Sequence, residues 1–284
     1  MRSTRSIRRS RAERRAGFSL VELLVTIGVS GITLASVVHF YAIHAREMRQ
    51  HSYRLESQQA LRSSLDAITR DLRLAGACLP LNGQFILLAG ANVAGGDSIT
   101  IRTGLVRTNM SCIVASTTAA AAVGATTVQV DSVNGFTADM LVYLRAANGA
   151  GEISPITAVG ASAISFLNAT QQAYAVGSGV YAIDERTYAL NKANPAVPVL
   201  TLTVNRDPPQ AFAAGVSDLQ VRYVLNQNCP ACTTVDLPVG AAQWQLVNSV
   251  VVTATVQTVG GVRPEDAATI VASSTAKPRN LLPP

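Results

Sequence analysis

The 284 residues, 48% hydrophobic and 14% charged, are enough for one or two domains with real cores. A net charge of +6 points toward nucleic acid or anionic lipid, but residues 1–17 hold seven arginines and one acid, Glu13, which leaves sixteen basic and sixteen acidic residues from position 18 onward. The basicity therefore belongs to a short leader, and the uncharged balance of the rest speaks against unaided binding to a phosphate backbone.

From position 18 to 43 the only formally charged side chain is Glu22. This stretch suffices to cross ~30 Å of hydrocarbon as a helix. The arginine run before it fits the positive-inside rule and puts the N-terminus in the cytoplasm. No A-x-A-like cleavage site follows the apolar stretch, where the chain runs on as HFYAIHAREMRQ. A lone carboxylate inside such a span costs up to roughly 2.5–3.5 kcal/mol, so Glu22 marks a functional position unless it lies close enough to the interface to stay hydrated.

The segment Gly17-Phe18-Ser19-Leu20-Val21-Glu22 resembles the signal of type IV prepilins and type II secretion pseudopilins. That resemblance implies a leader (1–17) removed between Gly17 and Phe18 by a prepilin peptidase, and methylation of the new amino group of Phe18. It also implies that Glu22 pairs with the amino terminus of an adjacent subunit and so sets the register of helices in a filament. A plain signal anchor is the alternative reading of the same residues.

Helical periodicity continues past the span. Met48, Leu55, Leu61, Leu65, Ile68, Leu72 and Ala75 form an apolar stripe, no proline precedes Pro80, and Gly76 is a natural stop. The spacing predicts one helix over about 18–75, ~85 Å at 1.5 Å per residue. Its transmembrane half (18–43) is apolar and its second half (44–77) is amphipathic, suited to lie under a head. Major pilins carry a proline in the apolar half, which this chain lacks, and that suits a minor subunit better.

The helix end DAITRDLRLAGACLP (66–80) is similar to PilW-type minor pilins and to J-type minor pseudopilins. VYAIDERTYAL (180–190), VSDLQVRYVL (216–225) and KPRNLL (277–282) are similar to later segments of the PilW group. The fold this implies is α+β: a long N-terminal helix packed on an antiparallel β-sheet head (78–284).

Beyond residue 80 the period becomes two. Leu219, Val221, Tyr223 and Leu225 alternate with polar residues, as do Val250, Val252, Ala254 and Val256, and Leu200, Leu202 and Val204. The segment 113–180 is rich in Ala, Thr, Val, Ser and Gly, with strand-like TTVQVDS, MLVYLR and AISFL, and reads as an inserted β module or as exposed small-residue loops. The tail from Pro264 is expected to be extended.

Cys78, Cys112, Cys229 and Cys232 all follow the span, so disulfides are the expectation, with three possible connectivities. Proximity in sequence favours Cys78 with Cys112 and Cys229 with Cys232. A redox role for Cys229-Pro-Ala-Cys232 would need a helix N-terminus to activate the thiol, and four-thiolate zinc would need a second close pair.

All three histidines, His39, His44 and His51, fall on the long helix, and no nucleophile or phosphate-loop motif appears. The sequence thus predicts no enzyme, no cofactor and no metal, with Asp184, Glu185 and Asp207 read as surface carboxylates. The function implied by the resemblance is a minor pilin that primes or tips a type IV pilus. Its partners would be prepilin peptidase, other minor pilins and the major pilin, the inner-membrane assembly platform and membrane lipid. It would sit in the inner membrane as a single pass before assembly, and then in the pilus at the cell surface. A type II secretion pseudopilin is the nearest alternative, and a tip adhesin or DNA-binding module is the alternative of another class.

Overall fold

The computed structural model describes residues 19–80, 87–93, 95–107, 110–195, 197–226, 230–257 and 269–278. The first element is α1 (Leu20–Leu74), a helix of 55 residues. With no proline before Pro80, nothing in its backbone removes an intrahelical donor. The stop is local: Gly76 adopts φ +76°, a left-handed conformation that a residue without Cβ takes at little cost. Its N–H donates to the Arg102 carbonyl at 2.9 Å, and the Ala77 N–H donates to the Leu74 carbonyl at 3.0 Å.

The chain divides into two compact units, residues 1–51 and 52–284. In the first, the described residues are the apolar start of α1 and the turns that follow. The second contains the rest of α1 and every strand.

The strands are β1 (Leu88–Ala91), β2 (Ser98–Thr103), β3 (Leu105–Val106), β4 (Ser111–Cys112), β5 (Val114–Ser116), β6 (Thr127–Gln129), β7 (Leu141–Arg145) and β8 (Gly151–Val159). There follow β9 (Ala163–Phe166), β10 (Gly179–Asn191), β11 (Val199–Val204), β12 (Gln210–Ala214), β13 (Val216–Leu225), β14 (Thr234–Val235), the short helix α2 (Gly240–Gln245), β15 (Val247–Gln257) and β16 (Thr269–Ala276). All their pairings are antiparallel. One sheet runs β14-β13-β15-β16, β3 and β4 form a separate hairpin, and the remaining strands follow the path β1-β2-β10-β7-β8-β9-β6 with β5, β11 and β12 beside it.

The first core joins the second half of α1 to the sheets. Leu61, Leu65, Ile68, Leu72 and Ala75 are at most 5% exposed and belong to one cluster with Ile99, Ile101, Tyr188, Leu200 and the inward residues of β13 and β15. On β13 the buried residues are Leu219, Val221, Tyr223 and Leu225; on β15 they are Val250, Val252, Ala254 and Val256, the period of two seen in the sequence. Each such side chain contributes roughly 1.5–3 kcal/mol by leaving water. Gly90 permits the close approach of β1 to this core, because a Cβ there would lie 2.5 Å from the Tyr223 hydroxyl oxygen.

A second core collects residues of 106–182. Val106, Ile113, Ala115, Val128, Val142, Leu144, Ile156, Ile164, Phe166, Tyr174 and Val180 are buried together. The strand-like stretches of that region form β6, β7 and β9. The strand β10 serves both cores. Its residues 179–183 pair with β7, and its residues 184–189 pair with β2.

The apolar stripe of α1 is not buried along its whole length. Met48 is 71% exposed and Leu55 59%, although both lie on the stripe that sequence periodicity assigned to the underside of a head. Periodicity establishes that a face is apolar; it carries no information about what covers it.

Candidate functional site

Gly17 and Phe18 lie outside the described residues. Glu22 sits in the first turn of α1, exposed, and no described residue pairs with it as a cation. An acid in a first turn interacts favourably with the helix dipole, typically by 0.3–1 kcal/mol. That is less than the penalty for a carboxylate deep in hydrocarbon, so the dipole alone does not account for Glu22.

The apolar start of α1 passes the length and composition test for a membrane span, and its most apolar window is wholly unburied. Every large apolar side chain of residues 20–43 is exposed, from Ile43 at 42% to Leu20 at 75%. Three hydroxyls of this stretch are turned back on the helix itself. Thr26 Oγ1 donates to the carbonyls of Glu22 and Leu23 at 2.9 Å, Thr33 Oγ1 to those of Val29 at 3.0 Å and Ser30 at 2.9 Å, and Ser36 Oγ to that of Ile32 at 2.9 Å. A hydroxyl satisfied in this way can face lipid without an orphaned donor. At the far end of the apolar stretch His44 stacks edge-on against Phe40, with centroids 4.2 Å apart, and its Nδ1 lies 3.3 Å from Glu47 Oε2.

In the head the polar residues converge on the C-terminal turns of α1. Asp71, with a side chain 1% exposed, accepts hydrogen bonds from Arg107 Nη2 at 2.6 Å and from the Tyr188 hydroxyl at 2.8 Å. Arg107 Nε lies 3.3 Å from Asp184 Oδ2, and Arg186 reaches both carboxylates, Nε to Asp184 at 3.4 Å and Nη1 to Asp71 at 3.6 Å. Two carboxylates and two guanidiniums make the group formally neutral, the condition under which buried charge is tolerated. Burial pushes the Asp184 carboxyl above its ordinary range, against the pull of Arg186 and Arg107. Burial also pushes the Tyr188 hydroxyl up, with the Asp71 charge acting in the same direction, so Tyr188 remains a donor.

Asp184 and Glu185 are therefore not the surface carboxylates that the sequence suggested. Asp184 is 7% exposed, and Glu185 Oε2 accepts from Arg102 Nε at 2.6 Å, its register partner across β2 and β10. Asp207 is exposed, in the turn after β11. Sequence reasoning missed Asp71 and Arg107 as well. A signal was available for Asp71: a carboxylate one turn from Ile68 and beside Leu72 interrupts an otherwise apolar face and needs a cation.

Cys78 and Cys112 form a disulfide, with Cα atoms 5.5 Å apart, which ties the end of α1 to the β3–β4 hairpin. Cys232 is also disulfide-bonded, and Cys229 lies outside the described residues. Among the described residues no group of three or more His, Cys, Asp or Glu side chains is arranged to hold a metal ion.

Residues 13–38 match the prokaryotic N-terminal methylation motif. The chain is similar to the pilin-like protein PilA3 of Thermus thermophilus, with 32% identity over 93 residues, 30% of this chain and 40% of PilA3. The match thus spans well under half the length of that curated relative. A solved type IV-like pilin from Thermus thermophilus aligns with a TM-score of 0.37 and 10% identity, covering 79% of this chain and 98% of that one. The chain thus carries a prokaryotic N-terminal methylation motif that overlaps the exposed apolar start of α1, and over part of its length it is similar to a pilin-like protein.

Proposed function

We propose that this chain is a PilW-like minor pilin, a structural subunit without catalytic activity that joins other minor pilins in priming or tipping a type IV pilus. The observation that carries the reading is the methylation motif of residues 13–38 continuing into a helix whose apolar side chains find no cover in the first unit. The leader arginines hold the N-terminus in the cytoplasm, and the apolar half of α1 stores the chain in the inner membrane. Cleavage between Gly17 and Phe18 by prepilin peptidase frees an ammonium group, which is then methylated. That cation is four residues before Glu22 in the sequence. In an extracted filament the ammonium of one subunit and the Glu22 of another pair in a low-dielectric core, where charge pairing is strong and sensitive to register.

The test is the intact mass and N-terminal sequence of the protein taken from native membranes with and without the peptidase. A chain beginning at N-methylated Phe18 only when the peptidase is present is the expected result. A chain that keeps its arginine leader in both would overturn the proposal.

A further inference from the structure

The second core is connected to the rest of the head at two places, and one guanidinium touches both. The chain leaves β2 through Gly104 and β3, passes Arg107, and enters the second core; it returns along β10, whose pairing changes from β7 to β2 between Ile183 and Asp184. Arg107 thus stands at the entrance and Asp184 at the exit. Arg107 Nη2 meets Asp71 of α1 at 2.6 Å, while its Nε faces Asp184 at 3.3 Å. Other contacts converge on the same place. The Gly104 N–H donates to the Ala77 carbonyl at 2.7 Å, and a Cβ on Gly104 would come within 3.0 Å of the Cys78 backbone. A small third core of Leu79, Leu141, Tyr143 and Ile183 joins the segment after α1 to β7 and β10.

We propose that Arg107 is a positioning residue that pins the entrance and exit of the 106–182 module to the last turns of α1, so that module and helix-packed head behave as one body. The ion group is ill suited to adding stability in bulk, because burial of its charges opposes their attraction. Its geometry suits it to fixing alignment, since Nη2 donates to Asp71 while Nε, buried without a hydrogen bond of its own, lies within ion-pair distance of Asp184, so one guanidinium is shared by carboxylates on both sides of the seam. Any ligand or load taken up by the module would then be transmitted to α1 rather than absorbed at a hinge.

The experiment is hydrogen exchange, strand by strand, on the full chain in detergent. In Arg107→Met, amides of β7, β8 and β9 should exchange at least about tenfold faster, while those of β13 and β15 change by less than about threefold. Equal acceleration in both sets, or none in either, would overturn the proposal. If Arg107→Met does not fold, the charge-balanced variant Arg107→Met with Asp184→Asn, which leaves Asp71 facing Arg186, serves instead. Its module should still exchange faster than that of the wild type relative to β13 and β15. Wild-type protection of the module in that variant would equally refute the pin.

Discussion

The large apolar side chains of α1 between residues 20 and 43 are at least 42% exposed, whereas those of the stripe between 61 and 75 are at most 5% exposed. The two halves share backbone geometry, and the first half is the richer in Leu, Ile and Val. What separates them is the location of their partners: sheet residues of the same chain for the second half, and nothing described in the first unit for the first. Helix formation is therefore no guide to what a helix is for; the destination of its apolar face is. Met48 and Leu55 continue the apolar stripe yet stay exposed, so the buried part of the stripe begins only at Leu61.

The sharpest way to break that contrast is to remove the buried charge of the second half, Asp71. Asp71→Ala leaves Arg107 and the Tyr188 hydroxyl without their acceptor and should cost the head about 3–5 kcal/mol. The loss can be read by urea unfolding in detergent with the single tryptophan, Trp244, as reporter, since its ring packs 5.0 Å from Tyr223 in the first core. A cost below about 1 kcal/mol would mean that the ion group is incidental.

A smaller effect compares the halves directly. Leu72→Ala should destabilise by about 2–5 kcal/mol through lost burial and the cavity left behind. Ile32→Ala, on the exposed half, should leave the unfolding midpoint unchanged to within about 0.5 kcal/mol. Equal losses from the two would erase the distinction.

The smallest effect is in pH dependence. A carboxyl whose folded-state pKa is raised binds its proton more readily when folded, so its contribution is fully present below the unfolded pKa and is lost as pH rises through the folded one. Asp184 is such a group, because burial dominates its surroundings. Asp184→Asn should therefore be at least as stable as the wild type near neutrality, and the gap between them should close as pH falls into the carboxylate range. A gap that widens on acidification would reverse the assignment of burial as the dominant cause.

Much of this was legible in the sequence, and the exceptions have physical reasons. The long helix, its stop at Gly76, and the alternation on β13 and β15 follow from periodicity and from glycine conformation, which are local properties. The Cys78–Cys112 bridge was favoured by proximity along the chain. The ion group was not legible, because it joins α1, the residue after β3 and the middle of β10, and no local pattern encodes that meeting. Asp184 and Glu185 looked like surface acids for the same reason: Arg107, which faces Asp184, and Arg102, which pairs with Glu185, come from distant parts of the chain. The hydroxyls of Thr26, Thr33 and Ser36 were readable in principle, since threonine and serine in an apolar helix have carbonyls three and four residues back within reach.

The central claim, that the exposed half of α1 is covered by neighbouring subunits through Glu22, is tested most directly by following the full-length protein into sheared pili. The account predicts that wild type appears in the pilus fraction with N-methylated Phe18 at its start, and that Glu22→Gln is still cleaved and remains in the inner membrane but is depleted from that fraction by about tenfold or more. Glu22→Gln entering pili as efficiently as wild type, or wild type absent from them altogether, would contradict it.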